Sequence, residues 1–429
     1  MKVVIMAGGK GTRIASLFPD IPKPMIPMED AKGIRKPVLE WEIENLRIQG
    51  FKDIILTIGY KAEQIKEYFG DGSKIGVHIE YFQENTPLGN AGALYFLDLK
   101  EDFLLLNADV VFNVDFNRMV RFHQENDALV TLFTHPNSHP YDSGLIIADH
   151  GRVGKWLAKE DERPVYYKNR VNAGVHIISP EILAMADIDK NEIGNEKDGK
   201  IMKVDLDRQL LKPLCGTGTM YCYDSPEYVK DMGTPERFHA VENDFKSGIV
   251  QSKNLRNKQK AIFLDRDGTI NKKIDFLHRV EDMTLTKNAA EAIRLINESG
   301  FLAIVATNQP VIARGELTYN GLEKIHNKLE TLLGEKGAYL DGLYFCPHHP
   351  HKGYEGEVPE LKIACDCRKP QPGMLVKAAK DFNIDLGKSW MIGDSDYDVQ
   401  AGKAAGCKCK KIEENALLEA VKEILNDNN

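Results

Sequence analysis

Two aspartates spaced two apart, Asp265 and Asp267, close the apolar run Ala261–Leu264 and are followed at once by Gly268 and Thr269. A short apolar run bounded by turn residues reads as a buried parallel strand. The period of a strand aims residues at that spacing to one side. Carboxylates at the carboxyl end of such a strand are costly unless a cation or substrate shares the site. An Asp-rich turn would carry the same letters, so other groups must decide. Cys346 and His348 form a CxH, and Cys365 and Cys367 form a CxC with 16 residues between the two pairs. Four such ligands suit a tetrahedral zinc site that leaves no position for water. Its role would be structural, holding a long loop that lacks a core of its own.

A second set of chemical groups lies near the amino terminus. The apolar strand Lys2–Ala7 runs into Gly8-Gly9-Lys10-Gly11-Thr12-Arg13. Glycines let the backbone approach a ligand, successive N–H groups can cradle phosphate oxygens, and Lys10 and Arg13 add positive charge. The loop is neither a Walker A motif nor GxGxxG. Pro22 and Pro24 hold Lys23 in a preset, extended backbone close behind this loop. Asn107-Ala108-Asp109 ends a strong apolar strand, and Asp231 precedes a glycine turn in Tyr228–Pro235.

The elements that would position these groups alternate. Pro37–Gln49 reads as a helix, Asp53–Tyr60 as a strand, Ala62–Phe69 as a helix and His78–Phe82 as a strand. Asn90–Leu99 reads as a helix and Asp102–Leu106 as a strand, an order that predicts a parallel sheet with ligands at its carboxyl edge. In the second half, Glu291–Ser299 is an expected helix. The strand Phe301–Ala306 delivers Thr307, Asn308 and Gln309, whose hydroxyl and amides suit a phosphate oxygen. Arg314 follows in a loop, then a helix near 318–333, a strand Gly342–Phe345 and a strand Ser389–Ile392. That last strand brings Asp394, Asp396 and Asp398 to the edge that carries Asp265 and Asp267. Arg368 and Lys369 directly follow the CxC, so the zinc loop would deliver two cations. Between the halves, Glu242–Lys260 is a polar connector with several basic residues.

With 429 residues the chain exceeds one ordinary core, and two or three domains are expected. Its 42% hydrophobic and 28% charged residues match a globular protein. A net charge of −8 argues against nucleic-acid and anionic-membrane partners and leaves small-molecule substrates. No apolar run reaches about 18 residues, and the amino terminus lacks a signal-peptide core. Seven cysteines, an odd number, do not make a disulfide framework, and the expected compartment is the cytoplasm. Assembly into a homo-oligomer is left open.

Residues 1–240 resemble the sugar-1-phosphate nucleotidylyltransferase family through GGKGTR, PKPM, ENTPLGNAGAL, NAD, NAG and DMGTP, in that order. The resemblance implies attack of a sugar 1-phosphate oxygen on the α-phosphate of a nucleoside triphosphate, with release of pyrophosphate. It implies that Gly8, Gly9, Gly11, Thr12 and Arg13 bind the triphosphate and that Lys23 neutralises the α-phosphate. Glu84 and Gly89 would lie near the base, Asn172 and Gly174 near the sugar, and Asp109 with Asp231 would hold Mg²⁺. Lys159 takes the place of the family's sugar-phosphate lysine, in a segment that blurs the usual Glu-Lys-Pro. Ala108 stands where the family has glycine, with the carboxylate of Asp109 kept. Such transfers ask a protein mainly for positioning and charge neutralisation.

Residues 260–429 resemble the haloacid dehalogenase superfamily of phosphatases through DRDGT, TN, KP and GDSDYD. The resemblance implies that Asp265 is a nucleophile forming an aspartyl phosphate. Asp267 would move the proton, and Thr307 with Lys369 would bind the phosphoryl group. Mg²⁺ would be held by Asp265, the Asp267 carbonyl and Asp394. The CPHH…CDCRKPQPGM segment, with NQPVIARG, looks like the heptose 1,7-bisphosphate 7-phosphatases, with histidinol phosphatases as competitors. That places Asn308, Arg314 and Arg368 on the substrate, with Pro310-Val311 in place of the usual Ser-Gly.

The expected fold is α/β with two doubly wound domains. A Rossmann-like nucleotidyltransferase would span 1–240, a linker 241–259, and a haloacid dehalogenase-like phosphatase with a zinc-binding loop 260–429. The two halves make sense as consecutive steps towards a nucleotide-activated D-glycero-D-manno-heptose, with the GDP-α form expected. Competing readings are another nucleotide (UDP, CDP or dTDP) or a non-catalytic, ligand-binding first half. Arg13, Lys23, Asp109 and Asp231 argue against the last.

Overall fold

The computed structural model describes every residue except Lys10, Asp198, Tyr354, Asn428 and Asn429, and of Lys197 the backbone alone. The charge expected from Lys10 therefore lies outside the described residues. The chain divides into two compact units. Unit 1 comprises Met1–Thr134, Ile146–Trp156 and Asn172–Asn254, and unit 2 comprises His135–Leu145, Leu157–Val171 and Leu255–Asn429.

Unit 1 is built on a nine-stranded sheet. In chain order its strands are β1 (Val3–Met6), β2 (Asp53–Ile58), β3 (His78–Gln83) and β4 (Phe103–Asn107). A short β5 (Val110–Asn113) lies outside it, and β6 (Val130–His135), β7 (Leu145–Asp149), β8 (Arg152–Leu157), β9 (Val171–Ile178) and β10 (Met220–Asp224) complete it. The spatial order is β3-β2-β1-β4-β9-β6-β10-β8-β7. The first four strands are parallel, as their alternation with helices predicts. The sheet then turns mixed, because β9 lies antiparallel to β4. Val3, Val4 and Ile5 are wholly buried, with Val3 and Ile5 in one core layer and Val4 in the other. Both faces of this strand are covered, which is why its sequence is apolar throughout. The chain leaves β1 towards β2 on one side and reaches β4 on the other, so a crevice opens at their carboxyl ends.

One expected helix is not there. Within Asn90–Leu99 the structure has only a 3₁₀ turn, Gly92–Phe96. The backbone here is spent on a distant partner. Ala91 N–H donates to the Val204 carbonyl at 3.1 Å, and the Asn90 side chain accepts from Leu206 N–H at 2.7 Å. These bonds divert the groups that would open a helix.

Unit 2 holds a five-stranded, wholly parallel sheet. Its strands are β12 (Lys260–Leu264), β13 (Phe301–Asn308), β14 (Gly342–Cys346), β15 (Trp390–Gly393) and β16 (Lys408–Lys411), where β11 is the Tyr228–Asp231 strand of unit 1 that pairs with β5. The order β14-β13-β12-β15-β16 puts β12 at the centre, with its neighbours reached in opposite directions. Ligands are expected at that switch point.

Unit 2 also takes in chain from the first half of the sequence. Tyr167 N–H donates to Thr331 Oγ1 at 2.9 Å, Thr331 Oγ1 lies 3.2 Å from the Tyr167 carbonyl, and Asn169 N–H donates to Glu330 Oε2 at 2.8 Å. Thr331 and Glu330 sit on the helix Tyr319–Gly334, and all four residues are buried. Thr331→Val keeps the shape and orphans a buried N–H, so unfolding stability should fall by about 1–3 kcal/mol. Thermal melting measures this, and an unchanged midpoint would show that the bond adds nothing.

Candidate active sites

In unit 1 the glycine loop follows β1, and Asp109 follows β4. Lys23 is 7% exposed and bridges two carboxylates, with Nζ 3.6 Å from Asp109 Oδ2 and 3.4 Å from Asp231 Oδ1. The pairing of β11 with β5 sets Asp231 beside Val110 and so next to Asp109. Arg237 also pairs with Asp231 at 2.5 Å, and Gly233 N–H donates to it at 2.7 Å. Burial raises the Asp231 carboxyl, but Lys23 and Arg237 outweigh it and hold the group below the usual range. Two carboxylates beside one lysine suit a hard divalent cation. Arg13 reaches the same place, since a Cβ on Gly233 would meet its guanidinium at 3.0 Å. Glu84 lies under the glycine loop, 3.6 Å from where a Gly8 Cβ would be. Gly11 sits at φ +57° with Lys23 behind it. Gly89 is bridged to Val204. Burial pushes the Glu84 carboxyl up, against a bond from Leu88 N–H.

In unit 2 the strand β12 ends one residue before Asp265. Lys369 Nζ lies 2.8 Å from Asp265 Oδ1 and 2.5 Å from Asp398 Oδ1. Asp265, Asp394 and Asp398 each offer an oxygen within 4.8 Å of the others, and this group could hold a cation. Burial, reinforced by Asp398 and Asp267, pushes Asp265 up to about 6 against the pull of Lys369. Burial alone would lower Lys369, but Asp265 and Asp398 raise it, so it stays charged. Gly268 adopts φ +79°, and a Cβ there would strike Asp394 Oδ2 at 2.4 Å. Only glycine lets the turn pass the carboxylate.

Asp267 faces elsewhere. The strand ends at Leu264, so the period-two argument does not reach this pair. Asp267 accepts from Arg266 at 2.9 Å, from Asn271 at 2.9 Å and from Gln309 at 2.9 Å. Burial raises it, but these donors prevail and hold it below the usual carboxylate range. Arg266 is wholly buried and also touches His326 at 3.2 Å.

The Cys–His cluster forms as the spacing predicts. Cys346, His348, Cys365 and Cys367 bring ligand atoms within 4.8 Å of one another. Their separations include 3.1 Å for Cys346–Cys367, 3.6 Å for Cys346–Cys365 and 3.3 Å for His348–Cys367. A tetrahedron with metal–sulfur bonds of about 2.3 Å has edges of roughly 3.8 Å, so the donors converge closely enough to share one ion.

Several residues have other partners than their motifs suggest. Lys159 belongs to unit 2 and pairs with Asp142. The Asn308 amide clamps the Lys369 backbone, donating to its carbonyl and accepting from its N–H, both at 3.0 Å. The Asn308 side chain is therefore occupied in placing Lys369. Gln309 donates to Thr307 Oγ1 at 2.9 Å. Arg368 donates to the His348 carbonyl at 3.1 Å, which ties the cation to the cysteine loop. Arg314 pairs with Glu316 and lies 3.9 Å from the Phe276 ring centre. Asn172 and Gly174 lie on β9 in unit 1.

Sequence reasoning did not single out Glu42, Lys273 or Arg266, nor Asp398 as a ligand. Lys273 Nζ pairs with Asp394 at 2.7 Å. Both Glu42 oxygens are buried with no hydrogen-bond partner among the described residues, and burial holds this carboxyl well above its usual range. A charged residue among apolar helix positions was the one available signal for it.

Comparison with known proteins finds relatives for both halves of the chain. A nucleotidyl transferase family model matches residues 2–248, and a HAD-hydrolase-like model matches 366–412. The D-glycero-beta-D-manno-heptose-1,7-bisphosphate 7-phosphatase of Yersinia pestis is 41% identical over 152 residues, covering 35% of this chain and 79% of its own length. The alpha-named counterpart from Photorhabdus laumondii is 40% identical over 150 residues, with 35% and 80% covered. The crystal structure of HddC from Yersinia pseudotuberculosis is similar at 26% identity over 57% of this chain and 99% of that one, with a TM-score of 0.45. The chain thus belongs to the nucleotidyl transferase family over residues 2–248 and to the heptose-1,7-bisphosphate 7-phosphatase family.

Proposed function

We propose that the chain carries out two consecutive reactions on one sugar. Unit 2 removes the C7 phosphate of D-glycero-D-manno-heptose 1,7-bisphosphate. Unit 1 then joins the resulting 1-phosphate to a nucleotide, with GTP the first triphosphate to test. The carrying observation is that a chain 41% identical over 152 residues to a heptose bisphosphate 7-phosphatase also sets Lys23 between Asp109 and Asp231.

In the first reaction the Asp265 carboxylate attacks phosphorus, and the bond from phosphorus to the C7 oxygen breaks. Asp267 gives that oxygen its proton, leaving an aspartyl phosphate. Asp267 then takes a proton from water, which attacks phosphorus and frees phosphate and Asp265. The donors around Asp267 favour its ionised form, which suits the second half. Lys369 balances the phosphoryl charge beside Thr307. In the second reaction a 1-phosphate oxygen attacks the α-phosphorus, and the bond to the bridging oxygen of pyrophosphate breaks. Lys23 and Arg13 neutralise charge on the two sides of that bond. Asp109 and Asp231 in unit 1, with Asp265, the Asp267 carbonyl, Asp394 and Asp398 in unit 2, would hold Mg²⁺, which supplies further neutralisation when bound. Presenting both anomers of heptose 1-phosphate with GTP, UTP, CTP and dTTP, and reading pyrophosphate, tests this step. Release with GTP is expected, and none with any pair would refute it.

The cluster of Cys346, His348, Cys365 and Cys367 is read as a structural zinc site. Metal analysis should find about one zinc per chain. Cys365→Ser should lower the melting temperature more than it alters phosphate release. A substitution silent in both would remove the structural role.

A further inference from the structure

Asn172 and His176 share one face of β9, four residues apart. His176 is 1% exposed, its Nε2 lies 3.1 Å from Asn172 Oδ1, and its Nδ1 is buried without a partner among the described residues. Burial pushes the ring down to about 3, so it is neutral and carries one N–H. A proton on Nδ1 would orphan a buried donor and set the Nε2 lone pair against an oxygen. Orphaned buried N–H groups are rare and expensive. The proton therefore sits on Nε2 and is donated to Asn172 Oδ1, the assignment that satisfies the network. Gly174 N–H also approaches this oxygen, at 3.5 Å. With Oδ1 engaged from the protein side, the Asn172 amide nitrogen makes no hydrogen bond among the described residues. The same strand passes close over the segment that carries Asp109. A Cβ on Gly174 would meet Asn107 Nδ2 at 2.9 Å.

We propose that His176 is a positioning residue for nucleotidyl transfer, its Nε2–H locking the Asn172 amide so that Nδ2 donates to a hydroxyl oxygen of the sugar 1-phosphate. The inference rests on the nucleotidyl transfer reading above. Without the lock, the amide of Asn172 is free to turn, and its oxygen would then face the sugar in part of the population. The loss is confined to sugar binding, because the His176 ring bonds Asn172 and, among the described residues, no hydrogen bond joins it to the triphosphate loop.

The test uses the full chain and steady-state kinetics of pyrophosphate release. His176→Phe keeps a ring and removes the donor. It should raise KM for heptose 1-phosphate about tenfold, as expected for one buried hydrogen bond. KM for GTP and phosphate release from the bisphosphate should stay within about twofold on the same scale. His176→Gln offers a replacement N–H and should recover most of the loss. In an Asn172→Ala background, His176→Phe should add nothing, because its target is gone. The proposal is overturned if His176→Phe leaves the sugar KM unchanged, if both His176 variants weaken both substrates alike, or if the effects of Asn172→Ala and His176→Phe simply add. Failure of the unsubstituted protein to release pyrophosphate would instead overturn the underlying reading.

Discussion

Asp265→Asn should abolish phosphate release from heptose 1,7-bisphosphate, by roughly 10⁴-fold or more, the scale of losing a nucleophile. The substitution keeps size and shape. It removes the attacking carboxylate and the charge that Lys369 meets at 2.8 Å. Lys369 keeps Asp398 at 2.5 Å, so the buried lysine is not left uncompensated and unit 2 should still fold. Nucleotidyl transfer from supplied heptose 1-phosphate should be unaffected, since Lys23, Asp109 and Asp231 lie in unit 1. A variant retaining a tenth of the phosphatase rate would mean that another group attacks phosphorus.

Lys23→Met should have the mirror effect. Removing one preorganised cation from a charge-developing site costs about 10²–10³ in rate. Here the loss is compounded, because Lys23 also offsets the mutual repulsion of Asp109 and Asp231. The expected readout is accumulation of heptose 1-phosphate and free phosphate from the bisphosphate, with almost no pyrophosphate. Lys23 is buried, so melting of the variant must accompany the assay. Full phosphatase activity with unchanged nucleotidyl transfer would exclude Lys23 from the site.

Groups held by local geometry were legible in the sequence. Gly8–Arg13 and Lys23 form one short neighbourhood, and the ligand cluster of Cys346, His348, Cys365 and Cys367 is written in two close pairs. The parallel strands β1–β4 and β12–β15 followed from apolar runs separated by helices, whereas β16 carries three lysines in four residues and no apolar run announces it. What the sequence hid depends on long-range pairing. Lys273 meets Asp394 across 121 residues, and the Asn308 amide serves Lys369 across 61. Asp398 joins the Asp265 site because Ser395 caps the following helix and turns that carboxylate inward, bonding it at 2.6 Å. No motif spacing encodes that turn. Residues 135–145 and 157–171 sit in unit 2 through contacts with a helix more than 150 residues further on, which a linear division at 241–259 has no means of expressing. Lys159 lies in the second of these stretches and pairs there with Asp142.

The central claim is that one chain performs both steps in order. Purified protein given heptose 1,7-bisphosphate in each anomeric form, GTP and Mg²⁺, followed by phosphorus NMR, tests it most directly. Phosphate and pyrophosphate should rise in equal amounts with a GDP-heptose, phosphate leading. Pyrophosphate without prior phosphate, or neither product from either anomer, would contradict it.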